Sequence, residues 1–321
     1  MSLFFPNITD LRCPACKNIL CEAKTDLEVS SRRLVCSGQN CDHRAFEHGF
    51  RMVEGCAILI SALQCDTICE PSKISSSVQR SSRKLSAIRR FMGSGSHLTE
   101  KNCDTFVQGV KGFSKRARIL VIGSGEPGIG TKRIWQEKDM DVYGTDIYLT
   151  DTVSTICDAH NLPFSDGFFE GVWIQAVLEH VVDPQRVVAE INRVLKADGL
   201  VYSEVPFMQQ VHEGAYDFTR FTLSGHRYLF KNFQAVKMDV LGGPSVALSW
   251  SFRYWVWSIT RSRNIARAAN LVMSLIIKPF ICLESKKSRY DSYSGSFFMG
   301  KKSGSTIRHK DLLAFYKGNI S

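Results

Sequence analysis

At 321 residues the chain has room for one large domain and one small one. It carries 41 Lys and Arg against 31 Asp and Glu, a formal charge of +10, which admits acidic or phosphorylated partners without identifying nucleic acid. Met1 to Pro6 lacks the basic start and long apolar core of a secretory signal. Eleven cysteines, an odd number, argue against a disulfide scaffold and for reduced thiols and metal in a cytoplasmic setting.

The first chemistry-bearing segment is Cys13-Pro14-Ala15-Cys16, answered by Cys36-Ser37-Gly38-Gln39-Asn40-Cys41. Two short turns that each deliver two thiolates suit tetrahedral Zn²⁺, so residues 1–62 read as a zinc ribbon held by Cys13, Cys16, Cys36 and Cys41. His43 is an alternative ligand and reads better as a surface residue, and Cys21 reads as a small apolar filler. A module this small needs a staple, which makes the metal's role structural. Leu11-x-Cys13-Pro14-x-Cys16, Leu34-Val35-Cys36 and the run Phe50 to Ile60 resemble the short zinc-ribbon family that includes the tRNA methyltransferase activator. That resemblance implies a closing hairpin with an apolar last strand, placed ahead of a methyltransferase domain.

Residues 63–100 read as a basic, Ser-rich linker. From Pro71 to Ser96 there is no acid, while Lys73, Arg80, Arg83, Lys84, Arg89 and Arg90 give a solvated connector with some helix around Leu85 to Phe91. Aromatics are nearly absent, so a stacking platform for single-stranded nucleic acid is not indicated. Phe106, Val107 and Val110 at helical spacing predict a helix over Asn102 to Gly112, lying over a cofactor mouth. It opens the main domain, 101–243.

Ile119-Leu120-Val121-Ile122 reads as a fully buried strand, and Gly123-Ser124-Gly125-Glu126-Pro127-Gly128-Ile129-Gly130 as the turn after it. Helix is predicted from Thr131 to Lys138, and a second strand ends at Asp146. Such an order lays a nucleoside cofactor across the carboxyl ends of parallel strands. The turn alone does not choose the cofactor, because Gly123, Gly125 and Gly128 also satisfy the dinucleotide spacing.

The residues beyond the second strand narrow the choice. Asp158-Ala159, Leu162-Pro163-Phe164, Asp166-Gly167-Phe168-Phe169-Glu170 and Val177-Leu178-Glu179-His180-Val181 come in order. Asp183-Pro184, Arg193-Val194-Leu195-Lys196, Gly199 and Pro206 complete the series. Over roughly Ala117 to Phe233, about half the chain, these resemble the class I S-adenosylmethionine-dependent methyltransferases acting on small molecules, quinones and glycans. The resemblance implies an α/β fold, a Rossmann-like sheet with helices on both faces. It places Gly123, Ser124, Gly125 and Glu126 at the methionine moiety, Asp146 and Ile147 at the ribose, Asp158 and Ala159 at the adenine, and Gln175 along the pocket. Val121 stands where the family has an acid, Pro127 where another glycine is common, and Glu126 is the candidate substitute for that acid. Taken structurally, Asp146 and Asp158 are also good caps, and Glu179 can serve a helix N-terminus beside His180.

His212-x-x-x-x-Asp217-Phe218-x-Arg220-Phe221-Thr222 resembles a segment of methyltransferases associated with bacterial surface-polysaccharide synthesis. A hydroxyl acceptor needs a base, and an unperturbed His titrates in the right range. His212 is the expected base, Asp217 its orienting partner and His180 the reserve. Tyr216 and Arg220 are the expected substrate contacts, Arg220 meeting an acidic group. The bland alternative is an Asp217–Arg220 ion pair over buried Phe218 and Phe221.

From 244 to 321 the expectation is a helical, apolar extension. Trp250, Phe252, Tyr254, Trp255 and Trp257 alternate with Arg253, Arg261, Arg263 and Arg267, and Leu271 to Ile281 carries Lys278 and Pro279. No uncharged run reaches the ~20 residues of a spanning helix. Such composition suits peripheral membrane contact or a helical pair capping the core. The leading function is methylation of a small-molecule, sugar, glycan or lipid-linked acceptor, probed against an RNA acceptor and a non-catalytic cofactor-binding subunit.

Overall fold

The computed structural model describes residues 3–23, 32–61, 67–69 and 96–318. The expected helix around Leu85 to Phe91, and nearly all of the expected linker, lie outside the described residues. Four short strands come first: β1 (Leu20–Glu22), β2 (Arg33–Cys36), β3 (Phe50–Val53) and β4 (Cys56–Leu59). The core then runs α1 (Ser96–Lys111), β5 (Ala117–Ile122), α2 (Lys132–Gln136), β6 (Met140–Asp146), β7 (Thr155–Cys157), β8 (Phe169–Gln175), α3 (Pro184–Val194) and β9 (Leu195–Pro206). Last come α4 (Leu223–Leu229), β10 (Phe233–Leu241), α5 (Pro244–Thr260), α6 (Arg263–Ile277), α7 (Lys286–Asp291) and β11 (Gly295–Lys302).

All eleven strands join one sheet in the order β1-β2-β3-β4-β7-β6-β5-β8-β9-β11-β10. From β4 to β9 every pairing is parallel, and antiparallel strands flank both sides. Helices cover both faces, as expected for a Rossmann-like sheet. On one face, Cys103, Phe106, Val107 and Val110 recur at helical spacing and pack with Ile119, Val121 and Trp173. On the other, Val187, Val188, Ile191 and Val194 of α3 pack with Leu120, Ile122 and Val172. Helix α3 starts where its sequence says it should, with Asp183 accepting from Arg186 N at 3.0 Å and Pro184 opening the first turn.

The cysteine module is built into this sheet. Ala57, Ile58 and Leu59 of β4 pair in parallel with Thr155, Ile156 and Cys157 of β7, so the module's last strand extends the parallel core. Leu11, Cys13, Leu34 and Phe50 share a core cluster with Tyr143 and Phe164. Lys17 Nζ meets Glu190 of α3 at 3.0 Å, and Arg12 N donates to Pro163 O. His43 corrects its expectation. It is buried, its ring contacting His48 O and Ser61 Oγ at 2.6 Å each, and so is neither a surface residue nor a fifth ligand. Cys21 is exposed and fills no core.

Two further differences concern helices and the tail. The helix after the glycine turn is shorter than predicted, Lys132–Gln136, while the preceding helix begins earlier, at Ser96. The tail beyond 244 is helical only in part, because β11 returns between β9 and β10 and pairs with both. Ser296 to Met299 is buried on both sheet faces, so the segment lacks the alternation that marks a half-buried strand.

Between these strands, α5 and α6 form a hairpin, joined where Arg261 adopts φ 54°. Ser249 Oγ contacts Asn270 Oδ1 and Ser274 Oγ across it at 2.8 and 3.1 Å. Its outer surface is apolar: Trp255, Ile259, Val272, Leu275 and Ile276 are each more than half exposed. The helical stretch Arg263–Leu283, mean hydropathy 1.6, is long and apolar enough to cross a membrane by length and composition. The stretch includes Arg263, Arg267, Lys278 and Pro279, so it is not an uncharged run.

Candidate active site

Strands β5, β6 and β8 end side by side at one edge of the parallel core. Gly123 has φ +73°, and a Cβ there would stand 2.2 Å from Val177 Cγ2, so only glycine allows this close approach. The amides of Gly123 and Ser124 donate to Thr145 O, which ties the turn to β6. Asp146 tightens the tie, its two oxygens accepting from Gly125 N and Ile147 N at 2.7 Å each. Ser124 is buried and its hydroxyl donates to Thr152 O. Glu126 is exposed.

Asp158 sits at the next strand end. It accepts from Thr67 Oγ1 at 2.5 Å and from His160 N at 2.9 Å, capping the short turn that begins at Ala159. Burial would raise its carboxyl, but the His160 ring and the Thr67 hydroxyl hold it below the usual range. Gln175 ends β8: its Nε2 donates to Glu204 Oε2 at 2.8 Å and to Ile129 O at 3.3 Å. Glu204 is fully enclosed, accepting from Thr99 Oγ1 at 2.7 Å and from the Tyr202 hydroxyl, and burial raises its pKa. Glu204 is thus a buried acid linked to the turn through Gln175, whereas Glu126 faces solvent.

A second group of side chains lies just past β8. The strand ends at Ala176, a non-glycine with φ +53°, and a tight turn Leu178–His180 follows. Phe218 N and Thr219 N both donate to Glu179 O, seating the 211–222 loop on this turn. His180 Nε2 and His212 Nε2 therefore come within 3.0 Å, and Glu179 Oε1 lies 3.8 Å from each. Burial pushes the Glu179 carboxyl up to about 8. Burial, then the neighbouring His180, lowers the His212 pKa.

Asp217 fixes the loop. It accepts both guanidinium arms of Arg220 and the His212 backbone N–H, the latter at 2.8 Å. Burial alone would raise this carboxyl, yet Arg220 and the His212 amide hold it down at about 2. Tyr216 turns its side chain outward, 55% exposed, and only its carbonyl touches the cluster, at His180 Nδ1.

At the other end of the sheet, the four Sγ atoms of Cys13, Cys16, Cys36 and Cys41 lie within 4.8 Å of one another. Asn18 Nδ2 donates to Cys16 Sγ and Gly38 N to Cys36 Sγ. Four unbridged thiols this close, with amide donors behind two of them, fit tetrahedral Zn²⁺.

Residues 120–203 match a family described as a methyltransferase domain. Over these residues the chain carries a methyltransferase domain. A ubiquinone/menaquinone biosynthesis C-methyltransferase, UbiE, from Desulfotalea psychrophila is 48% identical over 44 residues, 14% of this chain and 18% of that protein's length. Similar solved structures include phosphoethanolamine N-methyltransferase 2 of Haemonchus contortus with S-adenosylmethionine (17% identity, 62% of this chain, 52% of that chain, TM-score 0.39). Another is geranyl diphosphate C-methyltransferase from Streptomyces coelicolor A3(2) (12%, 63% and 75%, TM-score 0.39).

The expected residues fall into two groups. Gly123, Ser124, Gly125, Asp146, Ile147, Asp158, Ala159 and Gln175 line the strand ends, and His180, His212, Asp217 and Arg220 form the loop cluster. Glu179 and Glu204 join them although the sequence did not single out either for this role. Glu179 followed a strand end and preceded a His, which was a usable signal. Glu204 gave none, lying inside a buried strand.

Proposed function

We propose that the protein methylates a hydroxyl of a small-molecule, sugar or glycan acceptor, using S-adenosylmethionine. The observation that carries this reading is the His180–His212 pair, 3.0 Å apart, where the 211–222 loop seats on the turn after β8. Loops at the carboxyl ends of parallel strands are where such folds build their ligand sites.

S-adenosylmethionine supplies an electrophilic methyl on a sulfonium, already activated when it binds. The backbone of Gly123 to Glu126 would hold its methionine end, Asp146 and Ile147 the ribose, and Asp158 and Ala159 the adenine, with Gln175 along the pocket. On the acceptor side, neutral His212 would take the hydroxyl proton, and bound S-adenosylmethionine would supply the methyl group. Arg220 and Asp217 hold the loop that carries His212. Positioning supplies most of the acceleration.

Residues 1–62 serve as a zinc-stapled flank of the sheet and 101–243 together with β11 as the methyl-transfer domain, with the α5–α6 hairpin inserted before β11. The exposed apolar hairpin, with Arg253, Arg261, Arg263, Arg267 and Lys278 along it, supports a lipid-linked acceptor met at the cytoplasmic face of a membrane. Co-sedimentation with anionic and neutral vesicles tests that contact.

The decisive test of the cofactor is calorimetric titration of the zinc-replete protein with S-adenosylmethionine, S-adenosylhomocysteine and NAD, with Asp146→Ala as control. Binding of the two adenosyl ligands, lost in the control, supports the reading and justifies acceptor screening. Binding of NAD alone, or of none, overturns it.

A further inference from the structure

Glu179, His180 and His212 are a second set of convergent ligands, separate from the four cysteines. One donor atom from each lies within 4.8 Å of the other two. His180 Nδ1 faces the Tyr216 carbonyl oxygen at 2.7 Å. A carbonyl only accepts, so Nδ1 carries the proton and the neutral ring's Nε2 is a bare lone pair. That lone pair faces His212 Nε2 at 3.0 Å. The 3.0 Å separation is a hydrogen-bond distance in the absence of an ion, and it is close to the ~3.0–3.4 Å between neighbouring nitrogens held at ~2.1 Å on one ion.

Beneath the pair, the Glu179 side chain is fully buried, with Oε1 3.8 Å from each Nε2. Neither of its oxygens has a hydrogen-bond partner among the described residues. An unpartnered buried carboxylate is costly, and a cation over it removes that cost. Behind His212, Asp217 Oδ2 lies 3.4 Å from Nδ1 without a hydrogen bond, near enough to attract the imidazole electrostatically but not to fix its orientation.

We propose that Glu179, His180 and His212 bind one divalent first-row transition ion whose remaining positions take oxygens of the acceptor. Two imidazoles and one carboxylate favour Zn²⁺, Fe²⁺, Co²⁺ or Mn²⁺ over Mg²⁺ or Ca²⁺, and they leave positions open. The consequence for catalysis rests on the methyl-transfer reading. An acceptor hydroxyl held on the ion gives its proton to solvent, and its oxygen bonds the methyl carbon. The carbon–sulfur electron pair then departs on sulfur. His212 acts here as a ligand in place of a base.

Metal content decides the matter. The full chain is loaded with zinc, freed of excess by gel filtration and assayed by elemental mass spectrometry, with S-adenosylmethionine affinity measured on the same samples. Wild type is expected to hold two ions per chain, and His180→Gln and His212→Gln one each, with cofactor affinity unchanged. No ion in wild type overturns the proposal. So does an equal count in wild type and both variants. Loss of an ion in the variants from a protein that never binds the cofactor keeps the metal site and defeats the methyl-transfer reading instead.

Discussion

His180 Nε2 stands 3.0 Å from His212 Nε2, although the two residues are 32 positions apart. The contact exists because Glu179 O accepts the amides of Phe218 and Thr219, which folds the loop back over the end of β8. One backbone carbonyl thus sets the distance between the two imidazoles, and any change that loosens the loop acts on both.

Arg220 is the residue that keeps the loop in that place. Its two arms grip Asp217, whose side chain is 1% exposed. Lys retains the charge but cannot form the fork. Arg220→Lys is expected to lower kcat about tenfold at little cost in cofactor affinity, equivalent to ~1.4 kcal/mol in the barrier. Steady-state kinetics on an identified acceptor, with parallel cofactor titration, checks it. An equal fall in cofactor affinity would mean that Arg220 acts on the whole site.

Gly123→Ala addresses the other half of the site. The new methyl group meets Val177 Cγ2 at 2.2 Å, and the backbone there has φ +73°. Strain at the turn and overpacking against Val177 are each of order 1–3 kcal/mol. Cofactor affinity is expected to drop more than about tenfold, together with a lowered melting temperature. Unchanged calorimetric binding would show that the turn does not touch the cofactor.

Much of this site was legible from local sequence. Ile119 to Ile122 followed by four glycines in eight residues forces a buried strand into a tight turn, and Asp146 and Asp158 fall at strand ends because short apolar runs precede them. The loop cluster was only half legible. His212, Asp217 and Arg220 lie within one short stretch, but their meeting with Glu179 depends on a long-range backbone contact. Glu204 and β11 were invisible for one shared physical reason. Both belong to strands buried on two faces, where an inward polar residue or a run such as Ser296-Phe297-Phe298 has no alternation to betray it. His43 misled because a polar residue beside a metal knuckle usually faces water, whereas here Ser61 and His48 satisfy both its nitrogens.

The cysteine module should behave as part of the sheet. Strand β4 pairs with β7, and Cys13 and Leu34 share the core with Phe164, so loss of the metal removes packing from the large domain as well. Cys16→Ser, or a strong chelator, is expected to lower stability by at least ~2 kcal/mol in a single transition. Thermal melts with and without chelator, read by both circular dichroism and tryptophan fluorescence, test this. An unchanged main transition after zinc loss would show that the module is a passenger.

His226 gives the stability a pH dependence of predictable sign. It is fully buried on α4, its ring nitrogens 3.0 Å from Ser203 Oγ and Ser296 Oγ, and burial drives its pKa down to about 3. The unfolded chain has an ordinary histidine near ~6.5. Between those values the unfolded state holds the extra proton, so stability rises with pH across the window. The contribution is complete above about 6.5 and is lost progressively as pH falls toward 3. Going from pH 7 to pH 5 removes about 2 kcal/mol through this one group. Gln at this position reaches the same two hydroxyls and does not titrate. Urea unfolding at both pH values is therefore expected to show a loss about 2 kcal/mol smaller in His226→Gln than in wild type. Equal losses in the two proteins would mean that His226 takes up its proton without opening the core around α4.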